Sequence, residues 1–168
     1  MMARAHPALA LRPYLAADAS LLADIFRSGI EQLTGEEYSE AQQEAWASAA
    51  DDERAFAARL AGELTLVATL DGSPVGFASL KGDRHIDMLY VHPAMAAQGV
   101  GSMLLDALER LAAARGTEKL AVDASDSASG FFDKRGYVAQ SRNTVLRGDE
   151  WLANTTMEKR LAAEKSAS

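Results

Sequence analysis

Residues 98–102, Gln-Gly-Val-Gly-Ser, join a strand-like stretch that ends at Pro93 to a helix that opens at once. Such a junction presents backbone N–H groups without intrahelical partners and the positive end of a helix dipole, so it suits an anion such as a phosphate. Upstream, the extended stretch His85–Val91 carries two polar groups, His85 and Asp87, two positions apart. Asp123 and Ser125 stand in a later extended stretch, Leu120–Ala124 and its exit. Imidazole and carboxylate groups are the usual carriers of protons near neutral pH.

Two familiar phosphate-binding patterns do not fit the turn. A P-loop needs Gly-Lys-Ser/Thr, and here Gly101 is followed by Ser102 and Met103. A dinucleotide fingerprint needs a third glycine where Leu104 stands, inside a repeated strand-helix-strand pattern near the start of a domain. Glycines can also open a helix for steric reasons alone. His6 and His92 have no partners at metal-ligand spacing and the chain has no cysteine, so no metal site is expected.

The elements that must hold these groups follow from periodicity. Leu9–Arg12 is a strand candidate, and Asp18 is expected to cap a helix carrying Leu21, Leu22, Ile25, Phe26, Ile30 and Leu33. Ser39 should cap a second helix through Trp46, and a third runs from Asp51 or Asp52 to Leu60, ending near Gly62. Leu64–Leu70 and Val75–Leu80 flank Asp71-Gly72 as a hairpin, and a turn near Lys81–Asp83 leads into His85–Val91. Alternation puts His85, Asp87, Leu89 and Val91 on one face of that strand and Ile86, Met88 and Tyr90 on the other. Val100, Leu104, Leu108 and Leu111 form the apolar stripe of the helix after the turn, which ends near Gly116. After this crossover, Leu120–Ala124 should lie parallel to His85–Val91. A short helix across Ala128–Arg135 and a late hairpin through Gly148-Asp149 complete the pattern.

Length and composition bound the setting. The 168 residues, 48% apolar and 24% charged, suit one globular domain spanning 1–168, with 162–168 expected as a frayed tail. A net charge of −7 without any Lys/Arg-rich stretch argues against nucleic acid as a partner and favours a cationic or amine one. No apolar run approaches the ~20 residues that span a bilayer, and the start lacks a signal-peptide h-region. With no cysteine, the chain is expected to be cytoplasmic and independent of membranes.

The order strand, Pro93, Gln98-Gly99-Val100-Gly101, amphipathic helix, strand, then Ala-x-x-Phe-Phe-x-x-x-Gly-Tyr over Ala128–Tyr137 resembles the GNAT superfamily of N-acyltransferases. More narrowly, the stretches at 86–93 and 122–125, with Tyr38-Ser39 and Ala45-Trp46-Ala47, look like the YafP-like subgroup. The resemblance implies a mixed α/β (α+β) fold, with a central twisted mixed sheet of about six or seven strands flanked by helices. It also implies an enzyme that moves an acetyl group from acetyl-CoA to a primary amine, on a small molecule or a protein, by direct attack and without a metal.

On that resemblance Gln98, Gly99, Val100, Gly101 and Ser102 wrap the CoA pyrophosphate, Leu89, Tyr90 and Val91 pair with pantetheine, and Ser125 stands where many members have a cofactor-contacting asparagine. His85 falls where many members carry a catalytic glutamate, with an exposed turn-edge histidine as the other reading. Asp87 would take the ammonium proton through water or hold the acceptor, or else organise neighbouring loops. An Asp87–Asp123 pair facing one cleft would favour a cationic acceptor and raise one pKa by repulsion. Tyr38 and Trp46 would line the acceptor pocket, or belong to the core or surface. Phe132 occupies the place of the tyrosine that protonates the leaving thiolate, and it has no proton to give; Phe131 or Phe132 would instead pack the helix or cover the thiol. Ala96 stands where the family has Gln or Arg, which removes a charge-assisted phosphate contact. These two departures keep other readings open: a non-catalytic acyl-CoA sensor, or a partner-binding domain. The late hairpin is the expected edge for a homodimer.

Overall fold

The periodic stretches fold into seven strands and five α-helices in a computed structural model that describes residues 8–161. The expectations for His6 and for the 162–168 tail lie outside the described residues. In chain order the elements are β1 (Leu9–Pro13), α1 (Ala19–Leu33), α2 (Glu40–Ala47), α3 (Glu53–Gly62), β2 (Leu64–Leu70), β3 (Ser73–Lys81) and β4 (His85–Val91). After them come α4 (Val100–Ala114), β5 (Lys119–Ser125), α5 (Ser129–Asp133), β6 (Val138–Arg147) and β7 (Glu150–Arg160). The strands form one mixed sheet in the order β1-β2-β3-β4-β5-β7-β6, in which only β4 and β5 run parallel.

Two apolar layers sandwich the sheet. On one face α4 buries Val100, Leu104, Leu105, Leu108 and Ala112 against Ala78, Ile86, Leu120 and Val122. Gly76 of β3 lets α4 come this close, since a Cβ there would stand 3.0 Å from Val100 Cγ1 and 3.3 Å from Leu104 Cδ1. On the other face α1 and α3 bury Leu22, Ile25, Phe26, Ile30, Phe56 and Leu60 against Val67, Phe77 and Met88. No helix among the described residues is long and apolar enough to cross a membrane.

Local signals mostly act as their chemistry requires. Ser39 Oγ accepts from the Gln42 N–H while the Gln42 side chain accepts from the Ser39 N–H, a reciprocal cap that starts α2. Asp52 accepts from the Ala55 N–H and starts α3. Asp18 does not cap α1. Its carboxylate is taken by the Arg12 guanidinium in two hydrogen bonds of 2.7 and 2.8 Å and by the Leu15 N–H, because a charged bidentate partner outcompetes a lone helix N–H.

The alternation expected along β4 is broken. Ile86 pairs with Leu80 and Met88 with Ser79, so Asp87 is the extra residue of a β-bulge. In consequence Ile86, Leu89 and Val91 pack on the α4 layer, while Met88 and Tyr90 pack on the α1 layer. Asp87 reaches Arg59 of α3 on the α1 side. The bulge thus separates Asp87 from Leu89 and Val91, with which a regular strand would have aligned it.

Candidate functional site

The parallel pairing of β4 with β5 lasts for only two register pairs, His85 with Ala121 and Ile86 with Val122. Beyond them the strands splay, and the edge of β4 turned towards β5 has no strand partner. A cleft of about 380 Å³ opens there, walled by β4, β5, the end of α1, α2 and the β6–β7 hairpin. The structure brings His85, Asp87, Leu89, Tyr90, Val91, Asp123, Ser125, Phe132, Tyr38 and Trp46 to this one cleft.

The glycine turn lies next to the cleft rather than in its wall, and Val91 connects the two: it lines the cleft and stands 3.9 Å from where a Cβ of Gly101 would be. Gly99 takes φ of +84°, a left-handed turn that a side chain would strain, and α4 starts on the next residue without any side-chain cap. Among the described residues, the N–H groups of Gly99, Val100, Gly101 and Ser102 have no hydrogen-bond partner. Four convergent donors at the start of a fifteen-residue helix are the physical requirement for holding a phosphate. Gly101 has the Phe131 ring 3.4 Å from its would-be Cβ, so a larger residue would crowd the turn. Ser125 Oγ accepts from the Ala128 N–H at 3.1 Å, which leaves its own proton free to donate into the cleft.

The charged groups are arranged differently from the expectation. Asp87 and Asp123 both line the cleft, but each has its own partner. Asp87 Oδ2 accepts from Arg59 Nε at 2.8 Å, whereas Asp123 Oδ1 accepts from Thr156 Oγ1 at 2.7 Å and its Oδ2 stands 3.6 Å from His85 Nε2. The carboxyl group that couples to Asp87 is Glu63, at the C-terminal end of α3. Burial, then the hydrogen bond shared with Asp87, push the Glu63 carboxyl up from 4.5 to about 7. Asp87 moves below its ordinary value: desolvation opposes this, but hydrogen bonds from Arg59 and Glu63 with the charges of Arg59 and Lys81 outweigh it. The repulsion anticipated between Asp87 and Asp123 therefore falls on Asp87 and Glu63, which share one half-buried corner under Arg59. Ser79 Oγ, buried beside Glu63 Oε1, and the Arg59 charge work the other way and lower the Glu63 carboxyl, but burial outweighs them.

An aromatic floor backs the other end of the cleft. Phe26, Tyr90, Trp46 and Tyr38 meet in successive edge-to-face contacts with ring centroids 4.7, 6.4 and 5.4 Å apart. Trp46 Nε1 donates to the Tyr90 hydroxyl at 3.2 Å, and burial pushes the Tyr90 phenol up to about 12, so it stays neutral. The Tyr38 hydroxyl is fully committed: it donates to Ala153 O at 2.6 Å and accepts from the Asp126 N–H at 2.8 Å. Tyr38 is thus a wall of the cleft rather than a free donor in it. Phe132 is 3% exposed and packs on Phe131 and Tyr137.

Sequence reasoning missed Arg59, Glu63 and Arg147 in this site. Arg59 and Glu63 are spaced i, i+4 at the end of α3, a readable sign that both point the same way, but nothing local tells that β4 lies opposite. Arg147 lines the cleft from the tip of the β6–β7 hairpin, and among the described residues it has no carboxylate partner.

Comparison with known proteins gives a consistent set of likenesses. Residues 34–161 match the sequence profile of the acetyltransferase (GNAT) domain. An uncharacterized N-acetyltransferase from Escherichia coli, YafP, is 33% identical over 147 residues, which cover 88% of this chain and 93% of that protein. Among solved structures, a GCN5-related N-acetyltransferase from Rhodopseudomonas palustris superposes with a TM-score of 0.90 at 65% identity, covering 96% of this chain and 99% of that one. The PaiA N-acetyltransferase from Thermoplasma acidophilum, crystallised in complex with coenzyme A, shares the fold with a TM-score of 0.76 at 19% identity, over 91% of this chain and 99% of that one.

Proposed function

Since the chain belongs to the GNAT acetyltransferase family and its YafP-like subgroup, we propose that it transfers an acetyl group from acetyl-CoA to an amine that attacks the thioester directly. The observation that carries this reading is the run of unpartnered N–H groups from Gly99 to Ser102 leading, past Val91, into the unpaired edge of β4. The first fits a pyrophosphate; the second fits an extended, amide-bearing chain added as a further strand along Leu89–Val91. Gln98 precedes the turn, and Ser125 lines the cleft. Acetyl-CoA supplies the activated acyl group, and the residues of this chain bind it, orient the amine and handle its proton.

The amine must first lose a proton. The Asp87 carboxylate, ionised under Arg59, draws an ammonium group to the head of the cleft, and His85 with Asp123 stands beside it. Either Asp87 or His85 receives it. The nitrogen–carbon bond then forms as the carbon–sulfur bond breaks, and the second proton shed by the new amide nitrogen goes to the departing thiolate or to water. The thiolate leaves without a proton from Phe132; Ser125, whose Oγ accepts from the Ala128 N–H and keeps its own proton, offers a hydroxyl donor in the cleft wall. Trp46, Tyr38 and Tyr90 form the apolar floor on which the body of the acceptor rests.

A second reading, an acyl-CoA-binding sensor without turnover, is favoured by one specific observation: the buried Phe132 leaves the thiol end without an acid. Acetyl-CoA titration followed by an amine panel separates the two. The panel should include small amines, amino acids and lysine-containing peptides, with CoA release as the readout. Binding with acceptor-dependent CoA release supports the enzyme, and binding without release from any amine supports the sensor. No heat at millimolar acetyl-CoA sinks both.

A further inference from the structure

The glycine turn brings neutral donors to an anion and no positive charge of its own. From His92 to Met103 the chain contains no Lys or Arg, and the one imidazole there, His92, uses Nδ1 to accept from the Ala94 N–H. A cation from elsewhere in the fold would add a charge-assisted contact to a pyrophosphate seated on this turn. Arg135, just past α5, is the residue that arrives. Its guanidinium lies over the Phe131 ring with Cζ 3.8 Å from the centroid, and its Nη1 donates to Phe131 O at 3.0 Å. Its Nη2 donates to Ser102 Oγ, inside the first turn of α4. The same Phe131 ring abuts Gly101, so the aromatic plane carries the guanidinium to the rim of the turn.

Three further features suit a ligand-binding role. Arg135 is half-buried, and among the described residues it has no carboxylate within salt-bridge distance, so its charge is held in place without being neutralised. Only two of its five N–H donors are used. Stacking and two hydrogen bonds restrict its rotamers, so little further entropy is lost when it meets an oxyanion.

Resting on the acetyl-CoA reading above, we propose that Arg135 is the charged contact to the CoA pyrophosphate, delivered across the fold by the Phe131 ring to a turn whose own segment has no cation. Phe131 then acts as a positioning residue, and Ser102 has two roles: its N–H faces the anion while its hydroxyl holds the guanidinium.

The test is acetyl-CoA affinity by calorimetry for the wild type and Arg135→Gln, at low and at high salt, with acetyl-3′-dephospho-CoA as a second ligand. Loss of one charge-assisted phosphate contact should weaken binding about tenfold at low salt. The gap should narrow as salt rises, because screening weakens the charged contact that only the wild type makes. It should be the same for both ligands, since both carry the pyrophosphate. Ala96→Arg added to Arg135→Gln restores a cation from the turn's own segment and should recover part of the affinity. Unchanged affinity in Arg135→Gln, or a loss that is equal at all salt concentrations, overturns the proposal. A loss confined to the ligand with the 3′-phosphate overturns the pyrophosphate assignment. A wild type that binds neither ligand instead refutes the acetyl-CoA reading on which the proposal rests.

Discussion

Replacing Glu63 with Gln should change how stability depends on pH. The Glu63 carboxyl is pushed up from 4.5 to about 7 in the folded protein. Between those values the folded chain keeps a proton that the unfolded chain has lost, so wild-type stability falls as pH rises through this window and stays reduced above it. At about 1.4 kcal/mol per tenfold change in the proton equilibrium, the upper bound is roughly 3 kcal/mol. The group is partly solvated, and screening cuts this to about 1–2 kcal/mol. For a domain of this size that is about 3–6 °C in melting temperature. Gln never ionises, and its amide can still donate to Asp87. Glu63→Gln should therefore melt close to the wild type near pH 4.5 and about 3–6 °C above it at pH 8. Thermal melts of the two proteins in parallel across this range decide the matter, and a difference that stays constant with pH refutes the raised Glu63 carboxyl.

Other outcomes follow from the same geometry. Gly101→Glu puts a carboxylate among four free N–H groups and should abolish acetyl-CoA binding while the far-ultraviolet circular dichroism is kept; retained affinity would contradict the pyrophosphate placement. Once an active amine is known, pH–rate profiles of Asp87→Asn and His85→Ala should show which one loses its acidic limb, and unchanged profiles in both would remove both from proton transfer. Leu104→Ala, at a side chain that is 0% exposed between α4 and β3, should cost about 3–5 kcal/mol in urea unfolding. A loss below about 1 kcal/mol there would mean that the α4 layer relaxes around the cavity.

What could be read in the chain and what could not divides along physical lines. Elements with a strong period, such as the stripe of α4 and the hairpin around Asp71-Gly72, are set by local rules, and they fold as those rules require. The Ser39 cap was equally local. Asp18 departs from its local signal because its partner, Arg12, lies on β1, and competition for a carboxylate is decided in three dimensions. The β4 bulge escaped detection because one inserted residue leaves no mark on a stretch as mixed as His85–Val91, yet it decides which layer each side chain joins. Glu63 and Arg135 were invisible for a related reason. Each acts on a residue remote in sequence, Asp87 for one and Ser102 for the other, and each looks like an ordinary surface charge until the sheet has assembled.

The Tyr38 hydroxyl gains a wider meaning from its two bonds. It ties the segment between α1 and α2 to β7, 115 residues away, and to the segment after β5, 88 residues away. One oxygen atom thus joins two walls of the cleft. Both bonds join residues far apart in sequence, so they are expected to close late in folding. Loss of the hydroxyl in Tyr38→Phe would accordingly be felt more in the speed of unfolding than in the speed of folding.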